Sequence, residues 1–212
     1  MTTATRLNRK LALKIAQDVL AQLAVNRYKA TSGTYCELAD AGVINDFDAS
    51  FKDAFKQNAQ IKCNVCALGS LFTSFVNIEN QLTVSEVVEQ DFNHMIDLLR
   101  GVFSTREIML MEYVFERGRY GQLAENNTYN SEHEWDGDTV PNLARVTRLI
   151  NESNTRQYRT HLNDEYAIFT LGELRRAIAY GSKYEDAEER LRVIMLNVIR
   201  NNGKFKLPLR VR

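Results

Sequence analysis

The sequence predicts an all-α protein, folded as one compact multi-helix domain around a buried central helix near 64–78. Apolar residues recur at helical spacing in several segments. Three S/T-x-x-E capping boxes each stand just before such a segment. Only two prolines, Pro141 and Pro208, interrupt 212 residues, so long helices are permitted over most of the chain. The pattern has room for one or two short strands. No linker or composition shift divides the chain, so residues 1–212 read as a single domain.

Leu7, Leu11, Ile15, Val19 and Leu23 fall every four residues, with Ala12, Ala16 and Leu20 beside them. They predict a helix over 5–28. Gly33, Gly42 and small polar residues then mark a loop. Phe47, Phe51 and Phe55 share one helical face. Residues 64–78 are almost wholly apolar or small, the mark of a helix buried on every side. Thr83 with Glu86, Ser104 with Glu107 and Thr170 with Glu173 are the capping boxes; in each, both side chains satisfy free backbone N–H groups. Helices are expected at 83–101, 104–120, 142–153, 170–181 and 184–201. Residues 117–142 form the one long irregular stretch, and 156–169 suit a short strand or an extended loop. The tail, 203–212, is basic and reads as a solvated end rather than a nucleic-acid arm.

Charge narrows the function classes. Lys+Arg and Asp+Glu stand at 27 each, so no global positive field draws in DNA or RNA. No run approaches the length of a membrane span, and the N-terminus has no apolar core of a secretory signal. Three cysteines, an odd number, read as reduced thiols of a cytoplasmic protein. The nucleotide loops GxxxxGK[ST] and GxGxxG are missing, as are H-E-x-x-H and G-x-S-x-G. No cofactor is expected.

The chemistry-bearing residues cluster around "CNVC", Cys63 and Cys66. Zinc needs four ligands, usually as two close pairs. A site here would need Cys36 and one of His94, His133 or His161 beside Cys63 and Cys66, with no second pair to help. A redox pair would need a strand before it. Two buried thiols acting as small hydrophobes is the plainer reading. A nucleophile is the other. A cysteine in a helix's first turn feels the positive dipole end, which lowers its pKa. Cys66 suits that position, and Gly69 and Ser70 leave room near the backbone. His161 would be the base, oriented by Asn163 or Asp164.

Two further stretches carry candidate ligand groups. "NSEHEWDGDT" matches a calcium loop in part, with Glu132, Glu134, Asp136 and Gly137, but Leu143 stands where a bidentate Glu is needed. A solvated acidic loop fits better, with Trp135 as an anchor for a ligand or partner. In "RGRYG", Arg117, Arg119 and Tyr120 suit a phosphate; a helix C-terminus also simply favours cations.

At "VCALGSLF" the chain resembles uncharacterised small proteins of phages and bacteria that carry a C-A-x-G-[AS]-L helix and, later, an N-D followed by a T-x-x-E helix start. The matching pieces are Cys66-Ala67-Leu68-Gly69-Ser70-Leu71, Asn163-Asp164, and Thr170 to Leu174. Val65 stands where that family often has Trp. The resemblance implies that the Cys66 and Asn163–Asp164 regions meet in space. That family has no established activity, but a phage origin points to a small accessory protein acting in the host cytoplasm on host machinery or host defence; the missing catalytic set, balanced charge and compact length favour a non-enzymatic one. Such a protein would bind a host protein or sequester a small nucleotide-like signal. Its pocket would draw on Cys66, Gly69, Ser70, Arg117, Arg119, Tyr120, Trp135, His161 and Asn163. The alternative is a cysteine-dependent hydrolase or transferase using Cys66, His161, Asn163 and Asp164. Pairing into a homo-oligomer is left open by the apolar stripes.

Overall fold

The structure, a computed structural model, describes residues 7–79, 82–125, 157–162 and 165–209. It is mainly helical, as the periodicity predicts, but it also holds a small sheet and a hairpin, so it is not purely α. In chain order the helices are α1 (Arg9–Ala24), α2 (Phe51–Gln57), α3 (Ala67–Glu79), α4 (Val84–Val88), α5 (Phe92–Leu99), α6 (Thr105–Glu125), α7 (Leu171–Gly181) and α8 (Ala187–Arg200). Strands β1 (Tyr28–Ala30), β2 (Cys36–Leu38) and β3 (Cys63–Val65) form one sheet with β3 in the middle. It runs parallel to β1 and antiparallel to β2. Strands β4 (Gln157–Leu162) and β5 (Glu165–Thr170) pair as an antiparallel hairpin.

The leucine and isoleucine stripe of α1 buries Leu11, Ala12, Ile15, Ala16, Val19 and Leu23. Asn8 caps its start by accepting from the Leu11 N–H. The phenylalanine face of α2 is shorter than the spacing predicts. Ser50 caps it, Phe51 and Phe55 are buried, and Phe47 lies before it and is exposed. The central helix is α3, and every residue from Ala67 to Ser74 is buried. It begins later than the apolar run. Residues 63–65 pair with β1 and β2 instead of coiling, because neighbouring strands supply their backbone bonds.

All three capping boxes are present. Thr83 and Glu86 cap α4, and Thr170 and Glu173 cap α7. The expected helix over 83–101 is two helices, because Asp91 starts a second one by accepting from the His94 N–H. Ser104 and Glu107 exchange bonds at the start of α6. Glu107 also accepts from Arg9 Nη1 at 2.8 Å and from the Phe205 N–H at 3.2 Å. One carboxylate thus ties α1, α6 and the C-terminal segment together. That segment is anchored at Phe205, while Lys204, Lys206 and Leu209 are exposed. Phe205 is buried, and the Lys206 N–H and C=O both bond the Asn197 side chain. The predicted loop over 117–142 begins as helix, since α6 runs to Glu125. The predicted helix 142–153 lies outside the described residues.

Gly69 shows how tightly α3 sits. A Cβ built on it would lie 1.2 Å from the Tyr35 carbonyl oxygen, which is backbone and cannot step aside. A Cβ on Gly101 meets nothing within 4 Å. Gly69→Ala should therefore destabilise the protein by at least about 3 kcal/mol or prevent folding. Gly101→Ala should stay within about 0.5 kcal/mol of the parent. Urea unfolding followed by circular dichroism measures both.

Candidate functional site

Chain direction changes at Cys66. Strand β3 ends, the Cys66 N–H donates to the Thr34 carbonyl at 2.7 Å, and α3 begins with the Ser70 N–H donating to the Cys66 carbonyl. A helix start leaves its first N–H groups without partners inside the helix. Two of them are met by side chains. The Gly69 N–H donates to Cys66 Sγ at 3.3 Å, so the thiol plays the part of an N-cap hydroxyl. The Leu68 N–H donates to Glu112 Oε1, a carboxylate reaching across from α6.

Glu112 and Glu116 are four residues apart on α6 and therefore share one face. That face points into the core, and both are buried. Cys66 Sγ–H donates to Glu112 Oε1 at 3.4 Å, and the Gly33 N–H donates to Glu116 Oε1 at 2.8 Å. The three side chains bring one thiol and two carboxyls within 4.8 Å of one another. Burial raises the Glu112 pKa to about 8, with the Glu116 charge pushing the same way. Burial, and then the Glu112 charge, push the Cys66 thiol well above its ordinary range. Near neutral pH the cluster therefore keeps protons on Glu112 and on Cys66.

The other cysteines belong elsewhere. Cys36 and Cys63 share a thiol–thiol hydrogen bond across β2 and β3, and the Thr73 hydroxyl donates to Cys36 Sγ at 3.3 Å. That bond lowers the Cys36 pKa and raises that of Cys63. A strand does stand before Cys66, but Cys63 interacts with Cys36, its diagonal neighbour on β2, in a register that pairs Cys63 with Leu38. The set Cys36, Cys63 and Cys66 does not gather as one cluster among the described residues; Cys66 gathers with the two glutamates instead. Structural zinc takes four sulfur or nitrogen ligands. One thiol and two carboxyls fall short of that set, and the thiol would first have to lose a proton that its surroundings hold. His94 is exposed on α5.

Gly69 and Ser70 are both buried, and Gly69 packs against the Tyr35 backbone. Ser70 donates its hydroxyl back to the Ala67 carbonyl at 2.7 Å. Arg117, Arg119 and Tyr120 lie on the backbone of α6, and His161 on β4 opposite Tyr166; the description does not reach their side chains. Trp135, Asn163, Asp164, His133 and the acidic loop lie outside the described residues.

No family model, no curated protein and no solved structure matches the chain.

The Glu112 pKa sets a pH dependence. In the unfolded chain the carboxyl ionises near its ordinary value of 4.5, and in the folded protein burial moves this to about 8. Between those values the folded state holds a proton that the unfolded state has lost. Stability contributed by the neutral carboxyl is complete below the lower value and falls as pH rises toward 8. The slope approaches about 1.4 kcal/mol per pH unit. Glu112→Gln, which mimics the neutral acid, should match the parent in acid and exceed it in stability at alkaline pH. Urea titrations across that range measure the slope, and a parent slope of zero would contradict it.

Proposed function

We propose that this chain is a phage-type accessory protein that acts by binding rather than by catalysis, with a counter-defence role in the host cytoplasm. Its partner is a host protein or a small nucleotide-like signal. The resemblance at Cys66–Leu71 is the ground for the phage-type reading. The single observation that favours binding over catalysis is the state of Cys66. A catalytic cysteine must reach substrate and must ionise. Cys66 is 1% exposed. Its thiol caps a helix and donates to a carboxyl, and burial pushes its pKa up. The Gly69 bond alone favours the thiolate; burial and the neighbouring carboxyl outweigh it, and both oppose nucleophilic attack. Together they suit a group that holds α3 in place. No described helix is long and apolar enough to cross a membrane.

Alkylation tests this reading. At pH 6, iodoacetamide should leave Cys66 unmodified in the folded protein over hours, and at pH 8.5 in urea it should label Cys66 fully. Peptide mass spectrometry reads the site. Rapid stoichiometric labelling of folded Cys66 would overturn the binding reading and restore the cysteine-dependent hydrolase or transferase.

A further inference from the structure

Cys66 stands at one end of α3, and the opposite end borders a cavity. Its volume is about 330 Å³, and it is lined by Gln22, Arg27, Lys52, Phe55, Lys56 and Asn77. Those residues come from the end of α1, the turn after it, α2, and the last turns of α3. Half of them are cations. The acid bonded to this lining is Asp18, which accepts from Gln22 Nε2 at 2.9 Å and from Asn77 Nδ2 at 3.3 Å.

The cations differ in how they are held. The Arg27 guanidinium lies 3.4 Å from the centre of the Phe55 ring. Its Nε donates to the Ile61 carbonyl at 3.3 Å, and its Nη2 to the carbonyls of Asn58, at 2.9 Å, and Phe55. Nη1 donates to no described residue, so one edge of the fork is left for a ligand. Lys52 Nζ donates to the Ile78 carbonyl at 2.9 Å, which uses one of its three hydrogens. Lys56 is exposed at the rim and makes no hydrogen bond or ion pair among the described residues. Two fixed cations and one adaptable cation around a concave site form a ready receptor for phosphate oxygens. The amides add a second kind of contact. Gln22 and Asn77 each turn an N–H toward Asp18, which leaves their carbonyl oxygens as acceptors.

We propose that this cavity binds a small phosphate-bearing molecule of nucleotide size. Its phosphate lies among Arg27, Lys52 and Lys56, and its hydroxyl or amino groups meet the amide oxygens of Gln22 and Asn77. The proposal rests on the binding reading above and names the ligand class. The site is an open cleft whose volume stands at the small end of ligand pockets, so the phosphate end is the part it would hold.

Calorimetry on the full chain at low salt tests it, with ADP, inorganic pyrophosphate and adenosine as probes. ADP should bind one to one, pyrophosphate more weakly, and adenosine not measurably. Lys56→Glu sits at an exposed position and should keep the parent's melting temperature while weakening ADP by at least about tenfold. Asn77→Ala should weaken ADP and leave pyrophosphate unchanged. Silence with both ADP and pyrophosphate would overturn the proposal, as would unchanged ADP affinity in Lys56→Glu or equal binding of adenosine. These failures are separable from failure of the binding reading. The latter shows as rapid labelling of Cys66, whatever the calorimetry gives.

Discussion

The N-terminus of α3 is buried, and its free amide groups have to be met from inside the protein. An unmet buried N–H costs about as much as a lost hydrogen bond. Glu112 meets the Leu68 N–H, and Cys66 meets that of Gly69. Much of the architecture follows. Glu112 belongs to α6, so satisfying α3 fixes α6 across it. Cys66 closes β3, whose neighbours in the sheet place the strand that feeds α3. Glu116, one turn further along α6, reaches the Gly33 N–H in the connection between β1 and β2. The glutamate pair therefore joins helix, sheet and loop at one point. Gly69 is required at the same point, because the Tyr35 carbonyl lies where a side chain would begin.

Satisfying a helix start with a buried carboxyl has an electrostatic consequence. The positive helix end favours the ionised form, but loss of water disfavours it more, and a second carboxyl adds to the penalty. Glu112 responds by keeping its proton near neutral pH. Cys66 then sits beside a carboxyl and away from water, so its thiol stays neutral as well. The same helix start that would activate an exposed cysteine here holds a buried, protonated one. The proposed binding site lies at the other end of α3. From Cys66 to Asn77 the helix spans about 16 Å. There Arg27 and Lys52 cap helix carbonyls around a polar cavity.

Local features were the legible ones. Thr83 with Glu86 and Thr170 with Glu173 are pairs three residues apart whose bonds close within one turn, and both form as the spacing predicts. The stripe from Leu11 to Leu23 is equally local. What escaped depends on distant partners. Strands of three residues are too short for an alternating pattern, and Tyr28 pairs with Cys63 only because the fold brings them together. Asp91 interrupts an apolar pattern that reads as one continuous helix. At the site, Cys66 was singled out for its spacing from Cys63, although its partners are Glu112 and Glu116. Their signal was present in "MLMEYVFE", where two acids four apart interrupt an apolar run. A charged pair on the inward face of a buried helix needs a reason, and the start of α3 supplies it. Lys52 and Lys56 are likewise four apart in α2, beside the phenylalanines that drew attention instead.

A neutral Glu112 carboxyl holds the start of α3. Carbon NMR of glutamate labelled at the carboxyl carbon reads that proton directly, with Glu112→Gln assigning the resonance. The resonance lost in that variant should titrate near pH 8 in the folded parent. A resonance that titrates in the ordinary carboxylate range, or stays ionised to the onset of acid unfolding, would contradict the account.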